Sequence, residues 1–362
     1  MTFFWHRRDL RTNDNAGLFA ALRKEKDVQP IFIFDKNILD ELQSDDQRVL
    51  YIYHHIQAVK KKYNENGSDL LVFYGEPKAI FQQLIKEHKI SSVFTNRDYE
   101  PYAKSRDEEI ENLLKESDIS FRTLKDHVIF ERNEVLKGDG TPYRVFTPYM
   151  NQWKKELEPF HLKSYPTEKY FDNLKQTKEV SKLISLKEMG FSDEQTQDFP
   201  PIEASDKIIK DYENTRDIPS IRGTTRMSLH LRFGTISIRE LCRQGSKNVK
   251  YYNELIWRDF YQMILDHFPD SADQSFKPQY DNIPWENNEK HLKAWKEGKT
   301  GYPIVDAGMR ELNATGFMHN RVRMVVASFL TKHLMTDWRL GEAYFAEKLL
   351  DYEMASNVGG WQ

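Results

Sequence analysis

Between positions 254 and 261 the sequence Glu254-Leu255-Ile256-Trp257-Arg258-Asp259-Phe260-Tyr261 spaces a carboxylate, an indole, a guanidinium and a phenol at i, i+3, i+4 and i+7. On a helix these four share a face. A flat base or a flavin is recognised by that mixture of stacking surface, cation and hydrogen-bonding acid. An amphipathic helix with Trp257 in the core and an i,i+4 pair between Glu254 and Arg258 accounts for the same residues. A second segment, Gly223-Thr224-Thr225-Arg226-Met227-Ser228, precedes the apolar pattern Leu229, Leu231, Phe233. Its hydroxyls and arginine at a helix N-terminus would cradle an anion, where unpaired N–H groups and the helix dipole favour phosphate. An ordinary threonine N-cap is the alternative.

Further on, Met318-His319-Asn320-Arg321-Val322-Arg323-Met324 puts Asn320, Arg323 and Met324 on one helix face. An arginine near a buried face calls for a carboxylate. Asp351 and Glu353 supply two, in a segment that ends on Gly359-Gly360. Asn320 and Asn357 are each also accounted for as hydrogen-bonded core amides. From Arg216 to Arg258 nine basic residues (216, 222, 226, 232, 239, 243, 247, 250, 258) face three acidic ones (Asp217, Glu240, Glu254), a local excess of +6. The whole chain carries −3, so a polyanion site must be such a local patch.

The elements that position these residues follow from length and periodicity. A chain of 362 residues with 39% hydrophobic, 30% charged and 13% aromatic residues is globular and long enough for two domains. One cysteine, Cys242, excludes an internal disulfide and any zinc site with several thiolates, in keeping with a reducing cytoplasm. The apolar start Thr2-Phe3-Phe4-Trp5 runs directly into His6-Arg7-Arg8-Asp9, too short for a signal-peptide core, and no apolar run approaches a membrane span. Strands are expected at Thr2 to His6, Pro30 to Asp35, Asp69 to Tyr74, Ser91 to Thr95 and Ile119 to Leu124. Helical spacing separates them, as in Gln47 to Tyr63 and Ala79 to Lys89. The alternation predicts a doubly wound α/β domain with a parallel sheet over 1–130. It carries neither a dinucleotide fingerprint nor a phosphate loop. Prolines and polar residues mark a connector over 131–200, and 201–362 contains no strand signal and is expected to be all-α. Within it Gly301-Tyr302-Pro303 opens a helix that Gly316 closes.

Together these segments resemble the DNA photolyase and cryptochrome family, and within it the class I cyclobutane pyrimidine dimer photolyases. The resemblance runs from Trp5-His6-Arg7-Arg8-Asp9-Leu10-Arg11 to the C-terminus and includes Thr224 to Ser228, Glu254 to Tyr261, Lys299-Thr300-Gly301-Tyr302-Pro303-Ile304-Val305-Asp306, Met318 to Met324 and Asp351 to Trp361. It implies FAD inside the helical domain. Tyr212, Thr224, Thr225, Arg226, Met227 and Ser228 would hold its phosphates and ribitol. Arg323 and Asp351 would pair beside the isoalloxazine ring, and Asn357 would face flavin N5. Glu353 stands where relatives often have aspartate.

The activity implied is light-driven splitting of cyclobutane pyrimidine dimers flipped out of UV-damaged DNA. The alternative is a cryptochrome-like blue-light photoreceptor. By the same resemblance Glu254 would hydrogen-bond or protonate the dimer, Trp257 would stack on it, Asn320 and Met324 would line the pocket, and Tyr261 belongs to the same substrate face. Arg216, Arg258 and Arg321 would contact backbone or lesion flanks. Trp285, Trp338 and Trp361 fall at the positions of the family's electron-transfer chain. Relatives that repair the six-four photoproduct tend to carry histidine within the segment from Asn320 to Met324, so the cyclobutane lesion is favoured. An antenna chromophore of open identity, a monomer acting without an obligate protein partner, and an all-α domain truncated at Gln362 complete the expectation.

Overall fold

The computed structural model describes residues 1–362. Five parallel strands, β1 (Thr2–His6), β2 (Val28–Asp35), β3 (Leu71–Gly75), β4 (Ser92–Asn96) and β5 (Ser120–Leu124), form one sheet in the order β3-β2-β1-β4-β5. Every residue of β1, β2 and β4 is buried, which is why they are continuous apolar runs rather than alternating patterns. The edge strands β3 and β5 are only half-buried. Pro30 is tolerated inside β2 because β2 pairs with β3 only from Ile31 onward. The intervening helices are α1 (Ala16–Lys24), α2 (Lys36–Leu39), α3 (Gln47–Asn64), α4 (Pro77–Glu87) and α5 (Pro101–Lys115). Asp46 caps α3 through the Arg48 N–H, and proline begins α4 and α5. Phe3, Trp5 and Ile31 from the sheet pack with Phe81, Leu84 and Ile110 from α4 and α5.

Beyond β5 the chain is helical: α6 (Phe146–Glu156), α7 (Asp206–Lys210), α8 (Tyr212–Thr215), α9 (Ser228–Phe233), α10 (Ile238–Gly245), α11 (Val249–His267), α12 (Glu289–Lys296), α13 (Pro303–Thr315), α14 (Asn320–Ser328), α15 (Trp338–Lys348) and α16 (Met354–Trp361). A five-residue π-turn, Phe329–His333, follows α14. Gly316, at φ +62°, ends α13 in the left-handed conformation glycine adopts without strain. Trp295, Met309, Met318, Val326, Leu330 and Phe345 form the core beneath α12 to α15.

The chain divides into two compact units: residues 1–129, 158–196 and 233–241 in one, and 130–157, 197–232 and 242–362 in the other. The stretch 131–200 is thus split between them. Trp153 of α6 donates its indole N–H to Asp259 of α11 at 2.9 Å and meets Phe130 edge-on, which ties α6 to the helical unit. In the sheet unit, Leu174 forms an isolated bridge with Val28, and the Lys175 N–H donates to the Val28 carbonyl at 2.9 Å. Residues 233–241 return to the sheet unit through Arg239, buried between Asp14 (2.8 Å) and Asp126 (2.7 Å). No helix is long and apolar enough to cross a membrane.

Candidate functional site

α11 is the spine of the candidate site. Asn248 caps it by accepting from the Lys250 and Tyr251 N–H groups. The i,i+4 pair between Glu254 and Arg258 does not form. Glu254 instead pairs with Arg216, C-terminal to α8, while Arg258 donates to Glu353 at 2.8 Å. Arg258 is 8% exposed and paired with that carboxylate, which leaves little of its guanidinium open to the expected backbone or lesion contact. Burial opposes the charge on Arg216, but Glu254 outweighs it and raises the pKa. Trp257 stacks on Phe146 of α6 with ring centres 3.6 Å apart and planes 6° off parallel, and Tyr261 lies 5.4 Å away.

The second wall is the loop before α9. Tyr212 meets Tyr251 edge-on, and the Arg216 guanidinium lies 5.2 Å from the Tyr212 ring. The Thr225 and Tyr251 hydroxyls are 3.1 Å apart, and burial pushes the Tyr251 phenol up to about 12. Thr224 is half-buried and Met227 buried. Arg226 adopts φ +55°, rare for a side chain of its size, with its guanidinium 3.8 Å from the Phe317 ring. Such backbone strain persists where the surroundings enforce it, and it concentrates at ligand clamps.

Asp351 joins this loop to α14. Its Oδ2 accepts from Ser228 Oγ at 2.6 Å, and both its oxygens accept from Arg323 Nη2 at 3.0 Å. Asn320, Arg321 and Met324 are exposed on α14, with Arg321 Nε donating to Asp217 at 2.8 Å. Asn357 of α16 donates through Nδ2 to Glu342 of α15 at 3.0 Å, and the Tyr352 hydroxyl donates to the same carboxylate oxygen at 3.1 Å. Burial raises the Glu342 pKa despite both donors. Glu342 escaped sequence reasoning because its connection to Asn357 depends on how α15 packs against α16.

Gly359-Gly360 does not end its segment, since α16 continues to Trp361. A Cβ on Gly359 would lie 2.3 Å from the Tyr261 ring, so glycine there permits α16 to cross close to α11. Trp285, Trp338 and Trp361 line one cavity of about 620 Å³, together with Trp257 and Tyr261. Trp338 is buried and its indole N–H has no hydrogen-bond partner. The nine basic residues do not form one patch: Arg239 serves the sheet unit, Arg258 pairs with Glu353, and Arg226 covers Phe317.

Comparison with known proteins gives the chain its family. Residues 2–169 fit the family model described as DNA photolyase, and residues 251–362 fit the FAD binding domain of DNA photolyase. A deoxyribodipyrimidine photo-lyase of Synechococcus sp. is 36% identical over 99% of this chain and 80% of its own length. The chain belongs to the DNA photolyase family. A second photolyase relative, the deoxyribodipyrimidine photo-lyase of Halobacterium salinarum, is 34% identical over 100% of this chain and 81% of its own length. Among solved structures, a bacterial class III photolyase from Agrobacterium tumefaciens superposes with a TM-score of 0.86 at 30% identity, covering 99% of this chain and 78% of its own. An archaeal photolyase from Sulfolobus tokodaii, solved with two FAD molecules, gives 0.83 at 33% identity, covering 99% and 81%. The chain spans about four-fifths of the length of these relatives.

Proposed function

We propose that this protein binds FAD in its helical unit and splits cyclobutane pyrimidine dimers in UV-damaged DNA under light. The observation that carries the proposal is the Arg216-anchored Glu254 carboxylate one helical turn from the stacked Trp257, within a chain that aligns along 99% of its length with a deoxyribodipyrimidine photo-lyase. FAD when bound supplies light-driven one-electron donation to the dimer and takes the electron back.

The residues present fit that cofactor by the chemistry of their donors. Thr224, Thr225 and Ser228 offer hydroxyls beside the strained Arg226 backbone, a set suited to a pyrophosphate, and Tyr212 borders them. The Arg323–Asp351 pair offers a donor and an acceptor side by side to the edge of a flavin ring. Because Asn357 Nδ2 donates to Glu342, its Oδ1 remains as an acceptor for a protonated ring nitrogen.

On the lesion side, Glu254 is held by Arg216 in a pose that presents its second oxygen to a pyrimidine edge. Trp257, backed by Phe146, gives a rigid stacking surface, and exposed Asn320 and Met324 frame the opening. Arg321, exposed on α14 and sharing Asp217 with Arg216, is the arginine placed to meet a flanking phosphate. The single cysteine, Cys242, favours a reducing, cytoplasmic setting.

The test is repair of a dimer-containing oligonucleotide under blue light by purified protein, after its flavin content has been measured. Glu254→Ala should cut dimer splitting while sparing flavin photoreduction. Flavin photoreduction without any dimer splitting in the unsubstituted protein would overturn repair in favour of a light-sensing role.

A further inference from the structure

α14, which carries Asn320, Arg321 and Met324, is capped by an unusual residue. His319 stands at the N-cap, and its Nδ1 accepts the Arg321 N–H at 3.1 Å. Serine, threonine, aspartate and asparagine cap with oxygens that accept at any neutral pH. An imidazole caps only while Nδ1 carries no proton, so the hydrogen bond assigns the neutral tautomer protonated at Nε2. His319 is 6% exposed; its Nε2 is buried with no acceptor at full hydrogen-bond geometry, and the Arg216 backbone carbonyl is the group beside the ring that favours its proton.

Charged groups face this ring from three directions. Arg216, itself paired with Glu254, and Asp217 come from the segment after α8 and Glu311 from α13, while α14 offers the Arg321 backbone N–H, its guanidinium being turned to Asp217. Asp217 accepts from Arg216 Nε at 3.1 Å and from Arg321 Nε at 2.8 Å. The imidazole therefore sits between the two walls that present Glu254 and Asn320.

We propose that neutral His319 is a positioning residue for the lesion site, holding Asn320 and Arg321 against the Arg216–Asp217 wall through its cap, and that its protonation releases them. The inference rests on the assignment of Asn320, Arg321 and Glu254 to the dimer. A second proton removes the acceptor at Nδ1 and places positive charge at the positive end of the α14 dipole, next to Arg216. Burial already lowers the pKa of His319. The uncapped state, titrating near about 6.5, binds protons more readily than the capped one, so the cap is retained above that pH and weakens as pH falls below it.

The experiment measures binding in the dark to dimer-containing and undamaged oligonucleotides between pH 5.5 and 8 for the unsubstituted protein, His319→Asn and His319→Leu. Preference for the damaged strand should fall by up to about tenfold from the upper to the lower end in the unsubstituted protein, the largest change that a range reaching one pH unit below 6.5 allows. His319→Asn, which caps without titrating, should keep the neutral-pH preference and lose its pH dependence. His319→Leu should be low throughout. The same pH slope in His319→Asn as in the unsubstituted protein would overturn the inference, as would full preference in His319→Leu. Absence of any preference in the unsubstituted protein at every pH would instead refute the lesion assignment. Hydrogen exchange at the Arg321 amide then decides the cap by itself: protection at pH 8 that is lost at 5.5 only when residue 319 is histidine supports it, and equal protection overturns it.

Discussion

Gly341 sits inside α15, where an alanine would ordinarily be the better helix former. A Cβ there would lie 2.3 Å from Cη2 and 2.7 Å from Cζ3 of Trp361, and 2.5 Å from Cδ2 of Leu330. Relief needs the indole to withdraw by about 1 Å, and Phe345 (5.1 Å, 78°) and Trp295 (6.3 Å, 69°) already hold it from other sides. Gly341→Ala therefore sets an overpacking cost of about 1–3 kcal/mol against a helix gain of about 1 kcal/mol. Three contacts below 3 Å put the packing cost in the upper half of that range, about 2–3 kcal/mol, so the variant is left about 1–2 kcal/mol less stable, a fall in Tm of about 2–8 °C for a unit of this size. Thermal unfolding measures the first effect and the rate of flavin photoreduction the second, because the displaced ring belongs to the tryptophan series. Repeating the substitution in a Trp361→Ala background separates the indole from Leu330, and the cost should shrink by about 0.5–3 kcal/mol. A Gly341→Ala protein as stable as its parent, or a cost unaffected by removing Trp361, would refute the packing argument.

Other substitutions probe the remaining walls. Glu342→Leu removes the acceptor that orients Asn357, worth about 1–3 kcal/mol to that contact; FAD content should hold while photoreduction slows, and unchanged photoreduction kinetics would count against Glu342 as an orienting group. Trp338→Phe should slow photoreduction yet leave dimer splitting intact once the flavin is reduced chemically, whereas equal loss of both would mean the residue acts by packing alone. In the sheet unit, burial pulls the Asp126 carboxyl upward, but Arg11 and Arg239 outweigh it and hold its pKa well below the usual range. The stability it contributes is therefore present above about pH 4 and lost as pH falls below it. Asp126→Asn should cost about 3–5 kcal/mol at neutral pH by leaving two buried guanidiniums short of a partner, and urea unfolding at pH 7 and pH 3 should show a shallower pH dependence than in the parent.

Much of the fold was legible because strands buried on both faces advertise themselves. Thr2 to His6 is expected and observed with the same bounds, and the other four strands shift by no more than two residues at either end. Helix punctuation worked for the same local reason, with Pro303 opening α13 and Gly316 closing it. The partition of the chain was less visible. α6 packs with α11 through Trp153 and Asp259, and residues 233–241 join the sheet unit through Arg239. Neither pairing leaves a trace in composition, because each depends on a partner more than a hundred residues away.

The same distinction governs the site. Sequence alone determined the residue types, their helix faces and the family resemblance, since spacing along a helix is set by local geometry. Which charge meets which was a tertiary decision. Glu254 and Arg258, four residues apart, take Arg216 and Glu353 as partners instead of each other. Asn357 is oriented by Glu342, and Arg321 is tied to Asp217. An exposed i,i+4 pair contributes only a few tenths of a kcal/mol. A partly buried charge needs a close, desolvated partner far more, and only the packing of α8, α11, α14, α15 and α16 determines where that partner lies.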